Sequence, residues 1–264
     1  MMMAVTARDV KTLRDATGAG MMDAKKALTA ADGDMEAARQ ILREQGLAKA
    51  GARSTRDNDQ GAIAVAGTDT TAAVVQLKCE TDFSAKNEGF TSLVQKLAEA
   101  VLSGGPDAVQ RHTTAIEDLK LTLKENIEIG EVRLVQAAAG NLVDAYVHRQ
   151  DGRGINAVVV EGSGVAAEAL HQVALHIAFA KPQFLSADQV SADEVARERA
   201  ALLEITKAEG KPEQAWEKIV EGRMRGWYAE RVLLEQGLHG EKTPVKDSIG
   251  SGSIVGFVQV LIGD

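Results

Sequence analysis

The chain holds one cysteine in 264 residues, Cys79. A lone thiol closes no intramolecular disulfide and builds no cysteine-based metal site, which suits a reducing compartment. Aromatic residues make up 3% of the sequence, too few for the stacked rings on which single-stranded nucleic acid is held. Basic residues are outnumbered, 30 Lys and Arg against 38 Asp and Glu, for a net charge of -8. That balance argues against a face that neutralises several duplex phosphates, so nucleic acid is not an expected partner. No run approaches the roughly 18 apolar residues of a membrane span, and the start, MMMAVTARDV, has no apolar stretch of signal-peptide length. The expectation is a cytoplasmic chain with no membrane partner, its Met1–Met3 triplet set aside as a start-site artefact.

What is present is an ordinary globular composition, 45% hydrophobic and 26% charged. Thr6 to Gln45 reads as three short helices. Thr6 and Asp9 stand at capping-box spacing, Gly18-Ala19-Gly20 stops the first helix, Asp32-Gly33 closes the second, and Asp34 caps a third that ends at Gly46. Residues 48–60 are polar and small, a linker or a solvated helical extension. Alternation then predicts a hairpin over 62–66 and 72–78, an amphipathic helix over 87–102, and a second over 115–126. Strands follow at 132–137, 142–148 and 155–160, then helices over 165–180 and 191–209 and from Pro212, and a last strand at 254–262. The class is α+β: a three-helix bundle over 4–47, then core subdomains over 61–140 and 141–264, with strand-then-helix units occurring twice.

Motifs for catalysis are weak. Gly162-Ser163-Gly164-Val165-Ala166-Ala167 imitates a dinucleotide fingerprint between a strand and a helix. No second parallel strand follows, and Asp188 lies in a loop where a ribose-binding acid should end that strand. An ordinary strand-to-helix turn explains it better. His171 and His176, five apart on a helix, project about 140° from each other and cannot share a metal ion. There is no P-loop, H-E-x-x-H or nucleophile motif. The reading is no catalytic residue, no metal and no cofactor.

Two stretches ask for more. In LRDATGAGMMDAKKAL, Met21 and Met22 are adjacent, and both cannot face one small core. One either packs on the linker or offers an adaptable thioether to a partner. In CETDFSAKN, Phe83 lies in a turn between a strand and a helix. Thr81, Asp82 or Ser84 can cap that helix with Phe83 as its hydrophobic staple, or Phe83 and its neighbouring carboxylate can form a wedge for another protein.

These same stretches resemble the two signatures of the bacterial translation elongation factor Ts family, the second of which usually reads T-D-F-V-A-K-N. Further resemblance runs through KENIEIGEVRLV, AYVHRQDGRGINAVVV, ALHIAFAKPQFL and GKPEQAWEKIVEGRM, from Thr6 to about Leu234. The resemblance implies a guanine-nucleotide exchange factor, not an enzyme, acting on elongation factor Tu. Its bundle would be ubiquitin-associated-like, and its core would comprise two α+β subdomains with antiparallel sheets and a helical hairpin around 191–234. Arg14, Met22 and Lys25, with Met21 beside them, would contact a helix of Tu's nucleotide domain. The Thr81, Asp82, Phe83 and Ser84 turn would intrude beside Tu's Mg²⁺, and His148 would touch Tu's third domain. Leu175, His176 and Ile177 would pack. Two departures stand out: Ser84 replaces Val, trimming the apolar edge of the wedge, and the usual apolar helix before the last strand is missing. The competing readings are a helical-bundle binding module without exchange activity and a nicotinamide-dependent enzyme built on the Gly162 turn.

Overall fold

The computed structural model describes residues 5–263; the Met1–Met3 triplet, Ala4 and Asp264 lie outside them. Helix α1 (Ala7–Thr17) opens on the expected capping box. The Asp9 amide donates to the Thr6 hydroxyl at 3.2 Å, and the Thr6 amide donates to the Asp9 carboxylate at 3.0 Å. Gly18, at φ +66°, closes it. Helix α2 (Met21–Ala30) and helix α3 (Met35–Gly51), the latter capped by Asp34, complete the bundle. Its core is small: Val10, Leu13, Ala24, Ala27, Leu28 and Ala38. Helix α3 runs past the expected stop at Gly46. Gly46 is there for close approach, since a β-carbon would overlap the Leu121 side chain of the core. Beside it Arg43 pairs with Glu117 at 3.3 Å and with Asp118.

The core begins with β1 (Gln60–Gly67) and β2 (Thr71–Cys79), antiparallel from Gln60–Cys79 to Gly67–Ala72. After the single turn α4 (Asp82–Ala85), helix α5 (Glu88–Gly104) buries Phe90, Leu93, Val94, Leu97, Ala98 and Val101, one helical stripe. That stripe packs on Ala73, Val75, Leu77 and Cys79, the alternate residues of β2. A 3₁₀ segment (Pro106–His112) and α6 (Thr113–Leu123) precede β3 (Glu128–Gln136), which pairs with β2. The second half contains β4 (Asn141–Gln150), β5 (Arg153–Ser163) and α7 (Ala167–Ala180). The helical hairpin α8 (Ala192–Ala208) and α9 (Trp216–Arg231) follows, then the short α10 (Val245–Ser248) and β6 (Ser253–Leu261).

Among the described residues every pairing between the six strands is antiparallel, in keeping with the α+β class. The two halves share one sheet, ordered β3-β2-β1-β5-β4 with β6 also beside β5, and β1 meets β5 at the single pair Ile63–Gly154. Val158 and Val160 of β5 face Leu170, Val173 and Ile177 of α7. The opposite-facing Ala72, Val74, Val143, Ala157, Val159 and Val260 fill a third core between the halves. The α8–α9 hairpin has its own cluster around Val220, Met224 and Trp227. Between α9 and β6 the single turn α10 inserts Val245, and Ile249 beyond it, into the second core.

Candidate functional site

Where β2 runs out, two distant segments exchange carboxylates. Glu125 accepts the amides of Glu80 and Thr81 at 3.0 and 3.1 Å and the Thr81 hydroxyl at 2.6 Å. Glu80 in return accepts the Asn126 amide at 2.6 Å. The Thr81 hydroxyl oxygen takes the Ser84 amide at 3.2 Å and so caps α4, while Asn87 caps α5 through Gly89 and Phe90. The Ser84 amide at the start of α4 and the Gly89 and Phe90 amides at the start of α5 therefore have side-chain acceptors, which fix the backbone between β2 and α5.

On this fixed backbone Ser84 and Ala85 point inward, and Phe83 points out, 82% exposed. The staple reading fails, because the ring is not packed on α5. The position given to Ser84 also needs correcting. At 7% exposed it is part of the support under the turn, so its hydroxyl trims no outer apolar edge. Thr81 is partly buried and committed to Glu125. Asp82 lies beside the ring, half-exposed. The Lys86 ammonium, hydrogen-bonded to Asp82 at 2.7 Å, together with the charge of Arg153, holds its carboxyl below the usual aspartate range. An ionised carboxylate and a bare phenyl ring thus project together from a stiff corner.

The other candidates occupy separate places. Met21 and Met22 are both exposed, 48% and 62%, so neither completes the bundle core. Met22 and Lys25 are one turn apart on the same outward face of α2. Arg14 on α1 is half-buried, with its Nε 2.9 Å from Asp15. His148 is exposed on β4, its Nδ1 3.5 Å from the Tyr146 hydroxyl. His171 bonds Asp144 at 3.0 Å, whereas His176 is buried, its Nδ1 accepting the His239 amide at 3.1 Å and its Nε2 donating to Gln236 at 3.0 Å. Ile177 is fully buried and Leu175 half-buried.

At the Gly162 turn a β-carbon would stand 2.8 Å from Leu170 Cδ1, so this glycine lets α7 pack on the strand. Among the described residues no group of three or more His, Cys, Asp and Glu side chains could hold a metal, and no helix is long and apolar enough to cross a membrane. A cleft of about 540 Å³ between the bundle and α6 is lined by Arg43, Gly46, Lys49, Asp118 and Leu121, and by no residue of the Thr81–Ser84 turn.

The family model described as Elongation factor TS matches residues 80–264, beginning at the residue that opens this corner. The chain belongs to the elongation factor Ts family. An elongation factor Ts of Clavibacter michiganensis subsp. michiganensis is 41% identical over 276 residues, covering 98% of both chains. One from Cutibacterium acnes is 42% identical over 263 residues, 96% of each, and one from Hydrogenobaculum sp. is 37% identical over 277 residues, covering 99% of this chain and all of the relative.

For this family member, reasoning from the sequence missed the residues that hold the Phe83 corner. Glu125 and Asn126 are 44 to 46 positions away from the groups they bind, and no local pattern marks them. Phe179, 87% exposed near the end of α7, also gave no warning; helical spacing alone leaves its side undecided.

Proposed function

We propose that this chain is a guanine-nucleotide exchange factor that binds elongation factor Tu, disturbs its Mg²⁺ site and releases GDP. What carries the reading is Phe83, a large apolar side chain kept in water by a corner with no slack. A ring left 82% exposed contributes almost nothing to folding, so its use lies in another molecule. Arg14, Met21, Met22 and Lys25 supply the first grip on the nucleotide domain, with thioethers that adapt to a helix. His148 supplies a second contact on another domain of Tu.

Magnesium suits such an attack, because it requires near-ideal octahedral geometry and bridges phosphate oxygens. A wedge that moves a ligand-bearing element by a fraction of its bond lengths spoils that geometry. Seating one phenyl ring is worth about 1.5–3 kcal/mol. At about 1.4 kcal/mol per decade that is roughly tenfold to a hundredfold, and any larger acceleration draws on the bundle and His148 contacts. Linkage makes the effect reciprocal: a factor that weakens GDP binding is itself displaced by GDP. The chain makes and breaks no covalent bond in this scheme, so it is a factor and not an enzyme, acting in the cytoplasm where Tu is.

Dissociation of fluorescent GDP from Tu, followed with and without the chain, tests the proposal. Acceleration is expected. A chain that binds Tu yet leaves GDP release unchanged is a passive binding module, and the exchange reading is then wrong.

A further inference from the structure

Lys86 lies three residues beyond Phe83, and Asp151 three residues beyond His148. The two meet. Lys86 Nζ is 2.7 Å from Asp82 on its own turn and 3.0 Å from Asp151 at the tip of the β4–β5 hairpin. The tip is well defined: Asp151 and Gly152 have φ of 52° and 82°, as a two-residue hairpin turn with both central residues left-handed demands. Its base is also anchored. Buried Arg153 donates to the Gly61 carbonyl at 2.7 Å and to Gln60 at 3.1 Å, tying the hairpin to β1. The corner bearing Phe83 and the strand bearing His148 come from different halves of the core, and among the described residues Lys86 is the side chain that ion-pairs with both the α4 turn and the hairpin tip.

We propose that Lys86 is a positioning residue, bracing the Phe83 corner against the β4–β5 hairpin so that the two contact points meet the partner at a fixed separation. This rests on the exchange reading above. Binding through the bundle does not pass through the brace, so loss of the brace lowers the fraction of bound complexes with the ring engaged. The maximal rate of GDP release should fall while the concentration for half-maximal effect stays put.

Asp151→Asn leaves the Lys86–Asp82 pair intact and removes only the Lys86–Asp151 pair; Lys86→Met removes both, and Lys86→Arg restores a cation. The expected loss for a partly exposed pair is about two- to fivefold in the saturated rate for Asp151→Asn and Lys86→Met, with Lys86→Arg near wild type. The difference between Asp151→Asn and wild type should vanish at high salt, where the screening length falls to about 3 Å at 1 M. In the free chain, deuterium uptake by amides 82–87 should quicken in Asp151→Asn with the rest of the protein unchanged. Phe83→Ala serves as the control. If it is impaired while Asp151→Asn releases GDP at the wild-type saturated rate, the brace is refuted and the wedge stands. If Phe83→Ala is itself wild type, the underlying reading fails first.

Discussion

Replacing Phe83 with Ala separates folding from action more sharply than any other single change. The ring is 82% exposed, so its removal should shift the unfolding free energy by no more than about 0.5 kcal/mol. Phe90, seven residues on and fully buried against β2, is the internal comparison: its truncation to Ala should cost about 3–5 kcal/mol. In the exchange assay the order reverses. Loss of the about 1.5–3 kcal/mol gained by seating the Phe83 ring predicts a roughly tenfold to hundredfold slower saturated release of GDP. Stopped-flow release of fluorescent GDP, paired with urea unfolding monitored at Trp216 and Trp227, measures both quantities on one preparation. A Phe83→Ala chain as active as wild type would refute the wedge. A Phe83→Ala chain destabilised like Phe90→Ala would refute the geometry from which the wedge was argued.

The corner should also fail when its support is cut. Glu125→Ala strands the Glu80 and Thr81 amides, each worth about 1–3 kcal/mol if left unsatisfied, and should lower both stability and exchange; Glu125→Gln, which keeps one oxygen for both amides, should fall between. Burial lowers the pKa of His176 below its ordinary 6.5, so the folded state favours neutral imidazole. Its contribution is complete above that value and declines as pH falls below it, because the unfolded chain then takes up the proton first; denaturant titrations should show this slope flattened in His176→Gln. Burial, reinforced by the charge of Glu125, pushes the Cys79 thiol up to about 12. A thiol reagent at mildly alkaline pH should therefore find it inert in the native protein and reactive at the rate of unfolding, and prompt labelling of the folded chain would contradict its burial.

The parts of the fold visible in the sequence are those written in short range. The Thr6–Asp9 box, the glycine stop at Gly18 and the stripe from Phe90 to Val101 each need only a few neighbouring residues, and each is found where expected. The family likeness was equally legible, because its signatures are contiguous. Gly46 misled because a glycine at a helix end and a glycine at a close helix crossing look alike in one dimension. Only the approach of Leu121 distinguishes them. The joining of two expected sheets through Ile63 and Gly154 is a contact across 91 positions of chain and has no local signature. Phe83 could be a staple or an outward ring on the same letters, and the decision came from Glu125, which turns the backbone so that Ser84 rather than Phe83 faces the core.

A phenyl ring that contributes nothing to its own chain's cohesion is invisible to every selection that scores only abundance. Variants at Phe83 would express, dissolve and melt like the parent, and a library sorted for yield would retain them all. If the chain acts in exchange as proposed, what guards that position is the growth rate of a cell that depends on the exchange.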